Sequence, residues 1–362
     1  MAEPLKNYYS RDYIAKLATT LRECDPRINP VHFRKRIFDA SWEEKELKER
    51  MSHITISLRE VLPDDFPESV SILGEAIERM PSDKNSGYLG LYFPEFVALY
   101  GRQDWETSLP ALAWFTRFSS SEFAVRPFIL DDPERMMQQM RYWAIDENEH
   151  VRRLSSEGCR PRLPWAPALP LFKLDPQPVL DLLGILKRDE ARYVQKSVAN
   201  NLNDISKDHP EQVLETAERW QGLTSETDWI IKHACRTLLK QSHPRALSLF
   251  GYDARVKELT DFTVNQTEIN LGDELEFAVS FHVKRKCKLR VEYVIDYLKK
   301  NGTLAPKVFQ WTEREFESGH HELQKKQRFT PLTTRQHYPG AHHIRVRING
   351  REFESKEFLL IT

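Results

Sequence analysis

The chain has 362 residues, 40% of them hydrophobic and 30% charged, with a formal net charge of -1 at pH 7. That length supports more than one core-bearing unit, and the near-neutral balance excludes the whole-surface positive field that usually marks a nucleic-acid binder. No apolar run reaches the roughly 20 residues of a membrane span, no leader pattern opens the sequence, and Cys24, Cys159, Cys235 and Cys287 form no C-x-x-C pair, so a cytoplasmic protein with free thiols and without a zinc site or disulfide framework is expected.

Up to about residue 255 the sequence reads as helix after helix. Apolar residues recur with helical period in YIAKLATTL, SVSILGEAIERM, FVALYGRQDW, ERMMQQMRYW, VLDLLGILKR and WIIKHACRTLLK, the stripe a core-facing helix needs. Phe66-Pro67, Phe93-Pro94, Asp132-Pro133, Asp175-Pro176, His209-Pro210 and His243-Pro244 each stand before a helical pattern, where proline is favoured at the first helical position. These prolines are spaced by 27, 39, 43, 34 and 34 residues, the repeat length of HEAT and armadillo arrays. The spacing predicts an all-α, HEAT-like α-solenoid over residues 1–255. VRRLSSEG at 151, VQKSVANN at 194 and IIKHACRTLL at 230 align as second helices of successive repeats. Arg126, Arg152, Arg153, Gln195, Lys196, Lys232, His233 and Arg236 then share one inner polar stripe. The alternative for each is a solvated helix face.

One stretch stands out, Asp146 to Trp165, DENEHVRRLSSEGCRPRLPW, which crowds carboxylates, four arginines and a tryptophan together. Helical spacing sets Arg152 and Arg153 near Glu149 and Glu157. Gly158 is expected just past the helix, in the left-handed conformation that closes it, and Pro161, Pro164 and Pro167 forbid its resumption. Trp165 is then presented on a stiff loop, or else plugged into the core.

After Tyr252 the period changes. Strand-like alternation in DFTVNQTEINL, ELEFAVSFHV, KLRVEYVIDYL, HHIRVRI and KEFLLIT, with turns at Leu271-Gly272-Asp273, Asn301-Gly302 and Asn349-Gly350, predicts an all-β immunoglobulin-like sandwich over residues 262–362. This part carries 17 Lys and Arg against 13 Asp and Glu, and Lys284, Arg285 and Lys286 are its candidate phosphate contacts, against a solvated hairpin as the alternative. Tyr338 resembles the tyrosine corner of such domains. Adjacent strand residues face opposite sides, so His342 and His343 do not share a metal ion, and no metal is expected.

Three motifs carry a resemblance. SSSEFAVRPF at 119, WAIDENEHVRRLSSEGCRPRLPW at 143 and YVQKSVANNLNDISKDHP at 193 resemble those of the AlkC branch of HEAT-like repeat DNA alkylation repair glycosylases, over essentially the whole helical region. Some members carry a C-terminal immunoglobulin-like domain, as this chain does by pattern. The resemblance implies excision of cationic N-alkylated bases, of the 3-methyladenine and 3-methylcytosine type, from double-stranded DNA without extruding the base. No cofactor, a monomer, and a place in the bacterial cytoplasm or nucleoid are expected beside it. Carried over by motif, the catalytic residues are Glu122, Glu157, Asp204 and Trp165.

The chemistry is consistent with that assignment. Alkylation makes the base a good leaving group, so the enzyme has to stabilise an oxocarbenium-like sugar cation rather than protonate the base. Carboxylates do this directly, and a tryptophan face adds cation-π attraction of about 0.5 to 2 kcal/mol. Two readings without chemistry compete: an α-solenoid scaffold gripping a protein partner, which explains the repeats but not the motifs, and a DNA-structure binder, which needs the arginines but not the carboxylates.

Overall fold

The computed structural model describes residues 4–80, 86–330 and 336–361. Among these, helices run from Arg11–Cys24 to Pro244–Leu249, no strand precedes Leu259, and no helix is long and apolar enough to cross a membrane. The proline punctuation does its work locally. Asp132 caps the helix Pro133–Trp143 by accepting from Arg135 N at 3.0 Å, and Asp65 does the same for Phe66–Arg79, accepting from Glu68 N at 2.8 Å. A capped proline start removes orphan N–H groups that would otherwise compete with helix formation. These helices bury one stripe each: Ile72, Leu73, Ala76 and Ile77 in one, Met136, Met137, Met140 and Trp143 in the other. Each large apolar side chain so buried contributes about 1.5–3 kcal/mol.

Three of the helices form a ladder. Glu149–Gly158 packs on Arg192–Ile205, which in turn packs on Ser225–Ala234. The chain divides into two compact units, Met1–Val213 with Arg219–Ala234, and Leu214–Glu218 with Cys235–Thr362. The short helices Arg236–Lys240 and Pro244–Leu249, assigned to the solenoid by their period, thus belong with the β-domain. Arg347 donates to Lys240 O at 2.7 Å and Lys288 to Phe250 O at 3.2 Å. Gly350 permits a close approach, since at φ +82° a Cβ would lie 2.7 Å from Leu247 Cδ1.

Among the described residues eight strands follow: β1 Leu259–Val264, β2 Glu268–Asn270, β3 Glu274–Val283, β4 Cys287–Leu298, β5 Leu304–Phe316, β6 Gly319–Arg328, β7 Gly340–Ile348 and β8 Arg351–Ile361. They make a three-stranded sheet, β1-β3-β6, and a five-stranded sheet, β2-β8-β7-β4-β5, antiparallel except for the β2–β8 pair. The sandwich core is formed by Leu275, Phe277, Val279 and Phe281 of β3 with Leu289, Val291, Tyr293 and Ile295 of β4. Strand β4 is buried on both faces in its middle because its other face carries ions that neutralise one another: Glu292 accepts from Arg290 at 2.8 Å and from Arg347 at 2.7 Å.

One detail differs from expectation and another follows it. Tyr338 makes no tyrosine corner, since its hydroxyl pairs with the Gln336 side chain at 3.0 Å rather than with an upstream backbone group. His342 is fully buried while His343 is part-exposed beside Glu357 at 3.4 Å, so the pleat sends them to opposite faces as alternation requires.

Candidate active site

The helix Glu149–Gly158 begins at Asn148, whose side chain accepts from His150 N at 2.9 Å, and it buries Val151, Leu154, Ser155, Ser156, Glu157 and Gly158. Gly158 is the last helical residue, not the residue beyond, and its φ is not positive. Its small size serves packing instead: a Cβ there would lie 2.4 Å from Val125 Cγ2 and 3.2 Å from Met140 Cε. Complete burial pushes the Cys159 thiol up to about 12, which makes it an inert thiol. The left-handed backbone falls on Trp165, at φ +67°.

Around this helix end sits a buried ionic network. Arg160, in the loop just past the helix, donates through Nη1 to Glu157 Oε1 at 2.7 Å and through Nε to Asp204 Oδ2 at 2.8 Å. Arg153, one turn before Glu157, reaches Glu157 Oε1 at 3.4 Å and Glu122 Oε2 at 2.5 Å. Burial on its own would lower the Arg153 pKa, yet Glu157 and Glu122 more than offset it and the pKa is raised; Arg160 behaves likewise with Glu157 and Asp204. Hydroxyls complete the shell: Ser197 donates to Glu157 Oε2 at 2.6 Å and Ser120 to Glu122 Oε2 at 2.9 Å. Lys207 reaches Asp204 Oδ1 at 3.1 Å. Three carboxylates and two arginines thus hold one another in place with side chains no more than 15% exposed. Burying so many charges is costly unless every one is paired, and such clusters concentrate at functional sites.

The network floors a cleft of about 450 Å³ whose lining includes Glu122, Glu157, Arg153, Arg160, Phe123, Tyr193 and Trp165. Trp165 is 56% exposed, so it is presented at the cleft and not plugged into the core. Arg153 lies 4.9 Å from the centroid of the Tyr193 ring.

Comparison with known proteins gives this arrangement a family. Residues 108–238 match a family model described as DNA alkylation repair enzyme, and residues 258–362 match one described as the C-terminal Ig-like domain of the uncharacterised protein YhaZ. The uncharacterized protein YhaZ of Bacillus subtilis (strain 168) is 45% identical over 356 residues, spanning 98% of each chain. The structure of Pseudomonas fluorescens alkylpurine DNA glycosylase AlkC, bound to DNA containing an abasic site analog, superposes with a TM-score of 0.94 at 39% identity, covering 99% of this chain and 100% of that one. The chain belongs to the AlkC-type family of DNA alkylation repair enzymes. Its fold is accordingly a HEAT-like helical region followed by an immunoglobulin-like domain.

In this AlkC-type chain the motif carboxylates Glu122, Glu157 and Asp204 converge on Arg153 and Arg160, with Trp165 at the same cleft. Several residues expected on a DNA-facing stripe lie elsewhere. Arg126 is buried, and its guanidinium is spent on the carbonyls of Gly158 and Arg160, both at 3.0 Å, and of Pro167; burial lowers its pKa to about 10. It holds the Trp165 loop from beneath. Arg152 is paired with Asp189 at 2.6 Å and donates to the carbonyls of Asp146 and Glu147, both at 2.9 Å, so it fixes a turn, and Glu149 acts on it only as a nearby charge. Arg153 is enclosed among carboxylates. Arg236 lies in the unit that contains the β-domain. Lys196 is exposed, Lys232 and His233 are half-buried, and His233 stacks on Trp229 at 4.9 Å. In the β3–β4 turn Lys284, Arg285 and Lys286 are exposed, with Lys286 paired to Glu317 at 2.7 Å. Sequence reasoning missed Arg160, Ser120, Ser197 and Tyr193; the signal for Arg160 was its place three residues after Glu157, within reach of the same helix end.

Proposed function

We propose that this protein is a DNA glycosylase that hydrolyses the N-glycosidic bond of cationic N-alkylated bases, of the 3-methyladenine and 3-methylcytosine type, in double-stranded DNA in the cytoplasm or nucleoid. The observation that carries this reading is that Glu122 and Glu157, clamped by Arg153 and Arg160, line one cleft with an exposed tryptophan, while Asp204 holds Arg160. The likeness to an alkylpurine DNA glycosylase supports it.

The geometry suits a dissociative hydrolysis. When the C1′–N bond breaks, its electron pair neutralises the positive base and the charge moves to the sugar. Glu157 and Glu122 then face a developing cation with negative charges that need no reorganisation, the condition under which electrostatic stabilisation is largest. Among the described residues Glu122 Oε2 takes Arg153 and Ser120 and no partner takes Oε1, so Glu122 is the group to accept a proton from the attacking water. Asp204, engaged by Arg160 and Lys207, acts through Arg160 by holding it. The neutral base requires no acid, so the protein has only to reach the sugar, and the base need not leave the stack. Trp165 adds cation-π attraction near the charge.

Phosphate contacts fall to exposed cations, Lys196 and the Lys284–Lys286 turn, and not to the buried arginines. The test is release of free base from methylated duplex DNA by the purified full chain. Release of 3-methyladenine is expected. Binding without release would return the protein to the binder or scaffold readings.

A further inference from the structure

Trp165 adopts a backbone conformation that a bulky residue rarely takes, φ +67°, and with 56% of its surface exposed, burial does not enforce it. Other ties must. Within the loop, Leu169 N donates to Pro161 O at 3.0 Å and Ala166 N to Leu163 O at 3.2 Å. Arg126 holds Pro167 O. The tie to Trp165 itself comes from far away in the chain, where Lys48 Nζ donates to the Trp165 carbonyl. Lys48 stands in the first turn of the helix Leu47–Arg59, whose start is fixed by a capping box between Glu46 and Glu49. The same ammonium lies 5.2 Å from the centroid of the Phe123 ring. Phe123 follows Glu122 directly, and Phe123, Glu122 and Trp165 line one cleft. A single cation thus touches both segments that bear candidate catalytic groups. The charge facing it from the neighbouring helix Tyr92–Tyr100 is Glu95, whose carboxyl is raised by burial and is bonded to Ser52 at 2.7 Å and Thr55 at 2.9 Å.

We propose that Lys48 is a positioning residue for base excision, holding the strained Trp165 carbonyl so that the indole faces the cleft across from Glu122. This rests on the role given to Trp165 above. An exposed lysine beside a DNA cleft could instead hold a phosphate, and the two roles alter different quantities. Without a phosphate contact, binding weakens and its salt dependence flattens. Without a positioning tie, the excision rate at saturating protein falls and binding is unaffected.

The experiment uses the full chain as parent, Lys48→Met, which keeps the stem and removes the donor, and Lys48→Arg, which restores one. Single-turnover release from methylated duplex DNA, affinity and salt slope on a duplex with an abasic-site analogue, and the fluorine spectrum of protein labelled with fluorotryptophan are measured, the Trp165 resonance being assigned with Trp165→Phe. Lys48→Met is expected to lose about tenfold in rate, as for one charge-assisted hydrogen bond, with unchanged affinity and salt slope and a shifted or broadened Trp165 resonance. Lys48→Arg is expected to restore both. An unmoved resonance, or weaker binding with a smaller salt slope, overturns the proposal. If the parent releases no base, the glycosylase reading fails, and the fluorine spectrum alone decides whether Lys48 orders Trp165.

Discussion

Arg160 touches two buried carboxylates at once, and its replacement by methionine should be severe. The side chain is 9% exposed, with Glu157 at 2.7 Å and Asp204 at 2.8 Å, themselves 7% and 4% exposed. Arg160→Met keeps much of the stem and leaves the two carboxylates without the guanidinium between them. Removing one partner of a buried pair costs about 3–5 kcal/mol. Lys207 stays on Asp204 and Arg153 stays on Glu157, which places the loss at the lower end, about 3 kcal/mol. For a unit of this size that lowers the melting temperature by about 6–12 °C. The assay is thermal unfolding followed by circular dichroism, with Arg102→Met, which opens an exposed pair to Asp131, as the reference expected to change little. High salt should not close the gap, because the pair is shielded from it. If Arg160→Met melts with Arg102→Met, the reasoning about a buried, mutually dependent network is wrong.

Gly158→Ala should destabilise by about 1–3 kcal/mol, since its Cβ would meet Val125 Cγ2 at 2.4 Å, and Val125→Ala in the same chain should recover part of it in urea unfolding. Trp165→Gly separates strain from chemistry: it relieves the positive φ, so the melting temperature should hold or rise while base excision falls by about two- to thirtyfold, the worth of a cation-π contact. His342 gives a pH dependence. Burial holds its imidazole below the usual 6.5, and the ring pairs as a neutral species, with Nδ1 accepting from Leu298 N at 3.2 Å and Nε2 on Tyr338 O at 3.0 Å. The unfolded chain therefore takes the proton first. Stability is full above pH 6.5 and falls as the pH drops toward the lowered folded value, by at most about 1.4 kcal/mol per pH unit; urea midpoints above and below pH 6.5 should show this slope flattened in His342→Gln. Neutralising Lys284, Arg285 and Lys286 together should reduce the salt slope of DNA binding by about 0.9 for each phosphate they neutralise, and an unchanged slope would show that this turn touches none.

Much of this architecture is legible in the chain because its signals are local. Asp132-Pro133 specifies a cap and a first helical residue that both form as written, and the alternation of ELEFAVSFHV becomes the buried row of β3. The carboxylates were found through motif, since Glu122, Glu157 and Asp204 are too far apart in sequence for any period to join them. What could not be read is the direction of long cations at helix ends and just beyond them. Arg160 meets Asp204 across 44 residues, and Arg126 turns inward to three carbonyls although its neighbours suggest a polar face. Gly158 shows a related limit. A glycine at a helix end satisfies both a closing turn and a tight contact, and only the position of Val125 decides between them. The division of the chain was obscured for a similar reason: helices Arg236–Lys240 and Pro244–Leu249 keep helical period while packing with the β-domain.

The central claim is that buried negative charge in this cleft stabilises a sugar cation, and the direct measurement is single-turnover base release from methylated duplex DNA by Glu157→Gln beside the parent, with DNA affinity measured in parallel. The amide keeps the shape and can still accept from Arg160 while losing the charge. The account predicts unchanged affinity and a rate lower by about a hundredfold to a thousandfold, as for removal of one well-placed electrostatic interaction, about 3 to 4 kcal/mol. Excision by Glu157→Gln at the parent rate would contradict it.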